Sequence, residues 1–461
     1  MHSVGITILD GITRFEEVFD YYAARVHLVP RLRHKVAFVP FNLAHPKWVD
    51  DVQFDLANHV RRHQVPPNTT LDRAIDIALE IGEPVLDRNR PLWMVYVIED
   101  VEGKTLLVQL THHAFADGAT MVAMTTVLTD PAPDARAPEP EDPPWQPQAE
   151  PSAMALWQEA VTENAQRSVS EAQALAGNAQ RVAELSQKSG SLMQRMARPV
   201  MQAPWNASLV GPKRSHALNR HELVEMKALA GALGGTINDV VVSSVVEGAA
   251  RYLEFHREVT QDRYLRLMCP VNIRAADDDP LATGSNRVSA MFPVLPAWSM
   301  SMPERLATVQ QELNDIKANE EPWVLDQLQQ LQPNTPPVAM AQTLSVGTQW
   351  DLTAAAARAP LPVMPLPDGQ ARPQQLGFNF TCTNVAGPNW TQYVCGQRVE
   401  LTYGTLMLSG NLGLGVGVNS YDDGINFGIT ADPRLVPDVG RFADYIEEAL
   451  GELKVHAASM Q

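Results

Sequence analysis

A chain of 461 residues is too long for one ordinary hydrophobic core, so two domains or subdomains are expected. Its composition, 45% hydrophobic and 19% charged, is that of a soluble globular protein, and neither a membrane-spanning apolar run nor a basic-then-apolar signal segment is expected. A formal net charge of −17 disfavours nucleic acid and ionic recruitment to anionic lipid, and three scattered cysteines (Cys269, Cys382, Cys395) suit a reducing cytoplasm and no metal site.

Residues 1–130 read as an α/β unit. Val4 to Leu9 is predicted as a strand, and Thr13 to Phe19 opens a helix. Leu71 to Leu86 has helical spacing, with Asp72, Asp76 and Glu80 on its polar side. Met94 to Ile98 and Leu106 to Leu110 are predicted as paired strands turning at Glu102-Gly103, and Ala119 to Leu128 as the helix after them. Pro131 to Pro151 is dense in proline, alanine and acidic residues and reads as a linker. Residues 152–195, rich in Ala, Gln and Glu, are expected to form a helix crossing a surface. A second α/β unit begins near Pro204, so the expected division is 1–130, 131–200 and 201–461. Within it, Val240 to Leu253 is a predicted helix with Asn238 and Asp239 at cap-like positions. Leu265 to Ile273 is a strand ending at Arg274, and Glu304 to Lys317 an amphipathic helix. Phe378 to Thr383 is a strand, Leu401 to Ser409 and Leu412 to Tyr421 are a strand pair, and Val439 to Leu450 is the last helix.

Chemistry concentrates in Thr111-His112-His113-Ala114-Phe115-Ala116-Asp117-Gly118, which follows the apolar strand Thr105 to Leu110. A base that titrates near neutrality, a carboxylate and a glycine turn thus share one strand end. Successive strand side chains point to opposite faces, so His112 and His113 do not converge on one ion. One working histidine and one that packs or bonds to backbone are expected. Asp117 either orients the imidazole or pairs with a cation and holds the loop. The bland alternative is two core histidines followed by an ordinary Asp-Gly turn.

Gly413, Gly415 and Gly417 alternate with Leu414, Val416 and Val418, so at strand period the glycines share one bare face. Either another element packs closely there or the face forms an acyl or alcohol groove.

The octet reads HHxxxDG, and it resembles the active-site motif of acyltransferases related to chloramphenicol acetyltransferase. That superfamily includes peptide-synthetase condensation domains and the bacterial wax ester synthase/diacylglycerol acyltransferases. Four further segments resemble the latter branch. They are Pro91-Leu92-Trp93 (its PLW motif), Gly235-Thr236-Ile237-Asn238-Asp239-Val240 (its ND motif), Pro270-Val271-Asn272-Ile273-Arg274 followed by Gly284-Ser285-Asn286-Arg287 (its PVxxR…GN region), and Asn384-Val385-Ala386-Gly387-Pro388 (its NVPGP motif). They occur in the family's order over residues from about 1 to about 450. Departures are Ala386 in place of a proline and Ser285 between the usual glycine and asparagine. Family members also usually carry an extra acidic, aromatic-rich segment before the first strand. A shortened or differently started N-terminus is expected to weaken folding or substrate entry.

The resemblance implies an α/β fold of two chloramphenicol acetyltransferase-like subdomains, each a mixed sheet with helices, and an active site in a tunnel between them. It implies transfer of a fatty acyl group from acyl-CoA to the hydroxyl of a diacylglycerol or long-chain alcohol, giving triacylglycerol or wax ester. Acyl-CoA is a co-substrate, and no separate cofactor or metal is expected. His113, the second histidine, is the implied general base. Asp117 is implied to pair with an arginine, for which Arg274 is the candidate. His112, Gly118, Asn238 and Asp239 are supporting residues, with Asn238 a donor to an oxyanion, a substrate or the backbone, and Gly413, Gly415 and Gly417 are candidates for substrate contact. A cytoplasmic protein lying peripherally on the inner membrane or on lipid inclusions is expected. Two alternatives stand beside this reading: a condensation-type enzyme using carrier-bound thioesters, and a catalytically impaired lipid-binding homologue.

Overall fold

The computed structural model describes residues 2–40, 44–163, 166, 179–275, 278–283, 287–330 and 377–460. Its strands in chain order are β1 (His2–Leu9), β2 (His34–Ala37), β3 (Lys47–Asp50), β4 (Val60–Arg62), β5 (Trp93–Val101), β6 (Lys104–His112), β7 (Ser215–Glu222) and β8 (Tyr264–Asn272), then β9 (Val288–Met291), β10 (Val294–Pro296), β11 (Phe380–Val385), β12 (Tyr393–Val394), β13 (Gln397–Gly404), β14 (Leu414–Tyr421) and β15 (Gly424–Ala431). Two mixed sheets form the two lobes. The first has the order β12-β13-β1-β6-β5-β4, and the second β10-β8-β11-β14-β15-β7 with β9 also on β8. β2 and β3 make a small separate hairpin sheet.

The first lobe follows from its alternating pattern. Val4, Ile6 and Ile8 of β1 and Leu106, Val108 and Leu110 of β6 face the helix Leu71–Ile81, burying its Ala74, Ile77 and Ala78. On the other face, Leu9, Leu107, Trp93, Val95 and Val97 meet Val18 and Tyr22 of the helix Phe15–Ala23 and Met124 of the helix Gly118–Leu128. Full burial of each such side chain contributes about 1.5–3 kcal/mol. β5 and β6 form the expected hairpin. Its turn takes positive φ at Glu102 (52°) and Gly103 (79°), which matches the right-handed twist of the strands.

In the second lobe, the helix Ile237–Phe255 is buried on nearly every side between the helices Met302–Ala318 and Val439–Ser459 and the sheet. No single helix among the described residues is long and apolar enough to cross a membrane.

The expected strand pair of Leu401 to Ser409 with Leu412 to Tyr421 is not formed. β13 pairs antiparallel with β1 in the first sheet, whereas β14 lies between β11 and β15 in the second. The chain crosses between the lobes just after β13, where Thr405 N donates to Val4 O (2.8 Å) and Leu406 N to Thr430 Oγ1 (3.1 Å). An apolar alternation runs up to the crossing from both sides, so periodicity could not tell one sheet from two. The expected 201–461 unit is corrected accordingly, since its β12 and β13 complete the first sheet.

Other boundaries shift modestly. The helix predicted to Leu86 ends at Ile81, with Gly82 as its cap, and the last helix runs on to Ser459. Residues 153–163 and Ala179–Ala197 are helical, while the rest of the expected crossing helix lies largely outside the described residues. The proline-rich linker is strapped to the first lobe rather than loose. Arg33 pairs with Glu141 (2.6 Å), Lys35 pairs with Glu150 (2.8 Å), and Trp145 packs under Arg33 and against Phe54.

Candidate active site

The site grows from the end of β6. His112 is the last strand residue and lies opposite His2 of β1. Its N–H donates to Leu92 O (3.0 Å), so the Pro91-Leu92-Trp93 segment anchors the strand end. Trp93 is buried, donates its indole N–H to Leu32 O (2.8 Å) and stacks on His59, a bracing role rather than a place in the site. His112 Nδ1 accepts the N–H of Ala114 (3.1 Å), which leaves its proton on Nε2. Burial, aided by the nearby positive charge of Arg88, pushes its pKa down to about 4. His112 is thus neutral and engaged by the backbone, one of the two roles expected for the non-working histidine.

His113 follows the strand end and is half-buried. Burial also lowers its pKa, and the Asp117 charge opposes that shift without overcoming it. The imidazole is therefore mostly neutral at pH 7 and able to accept a proton.

Asp117 is fully buried and caps the helix Gly118–Leu128, its Oδ1 accepting from Thr120 N (2.9 Å). Its Oδ2 accepts from Arg274 Nη2 (2.7 Å) and from the main-chain N–H of Arg287 (3.0 Å). Arg274 Nη2 also reaches Thr120 Oγ1 (3.1 Å). Burial alone would raise the Asp117 pKa, but the hydrogen bonds from Arg274, Thr120 and Arg287 outweigh it and hold the carboxyl below its usual range. Arg274 stands just beyond β8, where its own N–H donates to Asn272 Oδ1 (3.1 Å). The carboxylate therefore belongs to the first lobe, with Thr120, while the partners of its Oδ2, Arg274 and Arg287, belong to the second. Arg287 closes the Gly284-Ser285-Asn286-Arg287 segment but carried no expected role, because a main-chain donor leaves no mark in the residue type.

Gly118 begins the capped helix. A side chain there would stand 3.1 Å from Cγ2 of Val385, so glycine lets the end of β11 close onto the motif. Val385 opens the segment Val385-Ala386-Gly387-Pro388, which is fixed in turn. Gly387 N donates to Ser420 Oγ (3.1 Å), and Asp422 N to Pro388 O (2.8 Å). Three of the four further segments thus converge on the octet. Gly284, Ser285 and Asn286 lie outside the described residues.

The structure corrects two expectations. The N-cap of the helix Ile237–Phe255 is Thr236; of the two residues expected at cap-like positions, Asp239 takes part in the cap and Asn238 does not. Thr236 Oγ1 accepts from Asp239 N (3.3 Å), and Asp239 Oδ2 from Thr236 N (2.8 Å), a reciprocal capping box. Asp239 is structural in this arrangement, and Asn238 is half-buried in the helix's first turn, outside the Asp117 network. The bare face of Gly413, Gly415 and Gly417 is not an open groove. A side chain at Gly413 would lie 2.6 Å from Leu435 Cδ1, one at Gly415 3.0 Å from Leu406 Cδ1, and one at Gly417 3.3 Å from Leu406 Cγ. The protein's own leucines fill that face, which is the packing alternative.

Among the described residues, no group of three or more His, Cys, Asp or Glu is arranged to hold a metal ion. The arrangement offers instead a half-buried neutral base beside a loop clamped between two lobes. That geometry suits proton transfer between two substrates held in line.

Residues 6–241 match the family model described as the wax ester synthase/diacylglycerol acyltransferase catalytic domain, and residues 284–454 match the C-terminal domain of the same family. The chain is 28% identical over 458 residues to the Mycobacterium tuberculosis protein named "Probable diacyglycerol O-acyltransferase tgs1", covering 97% of this chain and 90% of that one. Its fold is similar to that of the wax ester synthase/diacylglycerol acyltransferase of Marinobacter aquaeolei VT8, with a TM-score of 0.66, 19% identity, and coverage of 99% and 95% of the two chains. It is also similar to the starter condensation domain of rhizomide synthetase solved with C8-CoA, with a TM-score of 0.56, 12% identity, and coverage of 99% and 89%. The two-lobed fold is thus that of the acyltransferase superfamily.

Proposed function

The chain belongs to the wax ester synthase/diacylglycerol acyltransferase family of acyltransferases, and from that premise we propose that it moves a fatty acyl group from acyl-CoA to a diacylglycerol or long-chain alcohol, with His113 as the general base. The observation that carries this reading is the placement of His113. It is half-buried and neutral, on a loop whose Asp117 is gripped from the opposite lobe.

His113 takes the hydroxyl proton as the acceptor oxygen attacks the thioester carbonyl. The tetrahedral intermediate collapses with cleavage of the carbon–sulfur bond. The imidazolium then returns its proton to the departing thiolate, giving ester and free coenzyme A. No acyl-enzyme is required. Acyl-CoA is consumed as a co-substrate, and no separate cofactor takes part. Asp117 does not relay charge in this scheme, because both of its oxygens are engaged by Thr120, Arg274 and Arg287. It sets the loop, and through the loop the imidazole. Asn238 carries no step.

A chain of net charge −17 meets lipid through apolar contact rather than ion pairing, so we place it peripherally on membrane or lipid inclusions. Vesicle binding of that kind survives added salt.

The test is release of coenzyme A from palmitoyl-CoA with hexadecanol or a diacylglycerol as acceptor, for wild type and His113→Ala. Silence of the wild type with both acceptors removes the activity, and equal release by the mutant removes the role of His113.

A further inference from the structure

A cation sits beside the catalytic loop without an anion. Arg31 lies in the short turn before β2, half-buried, and donates from Nη1 to the carbonyl of Phe115 (3.2 Å), two residues after His113. Its guanidinium stacks over Trp48 at 4.6 Å, and Trp48 meets Phe115 edge-on at 5.7 Å. Among the described residues, no carboxylate lies within ion-pair distance of it.

Its neighbours are treated differently. Arg25 pairs with Asp130 (2.8 Å), Arg33 with Glu141 (2.6 Å), Lys35 with Glu150 (2.8 Å) and Lys47 with Glu163 (3.2 Å). His34 is likewise matched, by Asp50 at 3.1 Å. In a chain carrying 53 acidic residues against 36 basic ones, a half-buried arginine left unmatched among matched ones is a costly arrangement. Burial weakens its hold on its proton, and no neighbouring acid restores it. A guanidinium braced on an indole presents its remaining N–H groups in the planar fork that recognises phosphate oxygens.

We propose that Arg31, held by Trp48 and the Phe115 carbonyl, binds a phosphate group of the acyl-CoA co-substrate. The inference rests on the acyl-CoA-dependent reading above and deepens it. It provides the local positive charge that a co-substrate rich in phosphate requires of so acidic a protein. It also ties recognition of the coenzyme to the loop that carries His113.

The test uses the full chain and three probes: coenzyme A, its 3′-dephospho form, and pantetheine, which lacks phosphate. Their binding is measured calorimetrically for wild type, Arg31→Gln and Arg31→Lys, with melting temperatures recorded alongside. The expected result for Arg31→Gln is a loss of coenzyme A affinity of about tenfold or more, as for removal of one charged hydrogen-bonding partner. Pantetheine binding stays unchanged, and Arg31→Lys recovers part of the loss. In turnover, KM for palmitoyl-CoA rises by a similar factor while kcat stays within about twofold.

Equal coenzyme A affinity in wild type and Arg31→Gln overturns the proposal, as does failure of the wild type to bind coenzyme A. An equal loss for pantetheine also overturns it, since that marks a purely structural role through Phe115. A fourth arm uses phosphatidylglycerol vesicles. If Arg31→Gln loses vesicle binding but keeps coenzyme A, the anion is a lipid headgroup and the proposal falls. Wild type that binds coenzyme A through Arg31 yet transfers no acyl group overturns the acyltransfer reading alone.

Discussion

The neighbourhood of Asp117 and the ladder of Gly413, Gly415 and Gly417 both stand out in the sequence, and the structure gives them opposite characters. Asp117 is a buried charge met by a buried charge, with 0% of its own side chain and 2% of that of Arg274 exposed, and the two partners of its Oδ2, Arg274 and Arg287, come from the other lobe. The glycine ladder is apolar packing within one lobe, where Leu406 and Leu435 occupy the space that missing side chains leave. A polar residue announces itself by needing a partner. A glycine says only that something comes close, and whether that is substrate or leucine is decided by the fold. In the proposed mechanism the first region couples stability to activity, whereas the second is apolar packing.

The comparison can be broken or sharpened by substitution, beginning with the largest effect. His113→Ala should cut kcat/KM for acyl-CoA by about 10²–10⁴-fold, the usual contribution of a general base, with little change in melting temperature. A mutant retaining most of its turnover would remove the chemistry from this loop. Asp117→Ala leaves Arg274 buried without its carboxylate and should destabilise by about 3–5 kcal/mol, read from urea unfolding, with activity falling in the molecules that remain folded. If stability is unchanged, the clamp between the lobes carries no energy. Gly413→Val pushes against Leu435 and the Trp205 carbonyl and should cost about 1–3 kcal/mol. Its folded fraction should keep wild-type KM for acyl chains, and a changed chain-length preference would reinstate the groove.

The smallest expected effects are those of pH. The lowered pKa of His113 places the acid limb of kcat/KM below the ordinary imidazole value of 6.5, so the base remains competent into mildly acid solution. A limb above that value would contradict the burial of the ring. Stability follows a separate rule. His112 and His216 are both lowered to about 4 in the folded protein, so between that value and 6.5 the unfolded chain binds more protons. Stability is therefore lost progressively as the solution is acidified through that window. The lowered pKa of Asp117 adds a further loss at still lower pH, below the ordinary carboxylate value of 3.8. Chemical denaturation at a series of pH values separates the two ranges.

Much of the site could be read before any coordinates. The two-residue period of a strand led to the expectation of different settings for His112 and His113, and the end of β6 at His112, with His113 already in the turn, adds to that separation. The pairing of Asp117 with Arg274 came from resemblance, since nothing in the local sequence joins residues so far apart. Arg287 contributes an N–H that any residue but proline could offer, so its identity carries no signal. The Thr236 capping box is written in the sequence as a Thr followed three residues later by an acid, with the equally cap-prone Asn238 between them. Seven of the fifteen strands among the described residues (β1, β5, β6, β8, β11, β13 and β14) were legible, whereas β2, β3, β4, β7, β9, β10, β12 and β15 were not singled out. Strand partnership was not legible, because alternation records which face is buried and not which neighbour is bonded.

The return of β13 to the first sheet sets a schedule for biosynthesis. β1 lies between β6 and β13, so it stays an open edge until residues 397–404 have left the ribosome. Such an edge is a template for unwanted pairing with other chains. For most of translation, then, the amino-terminal lobe waits with its own first strand half-satisfied, and premature termination ahead of β13 should yield insoluble fragments rather than a free-standing lobe.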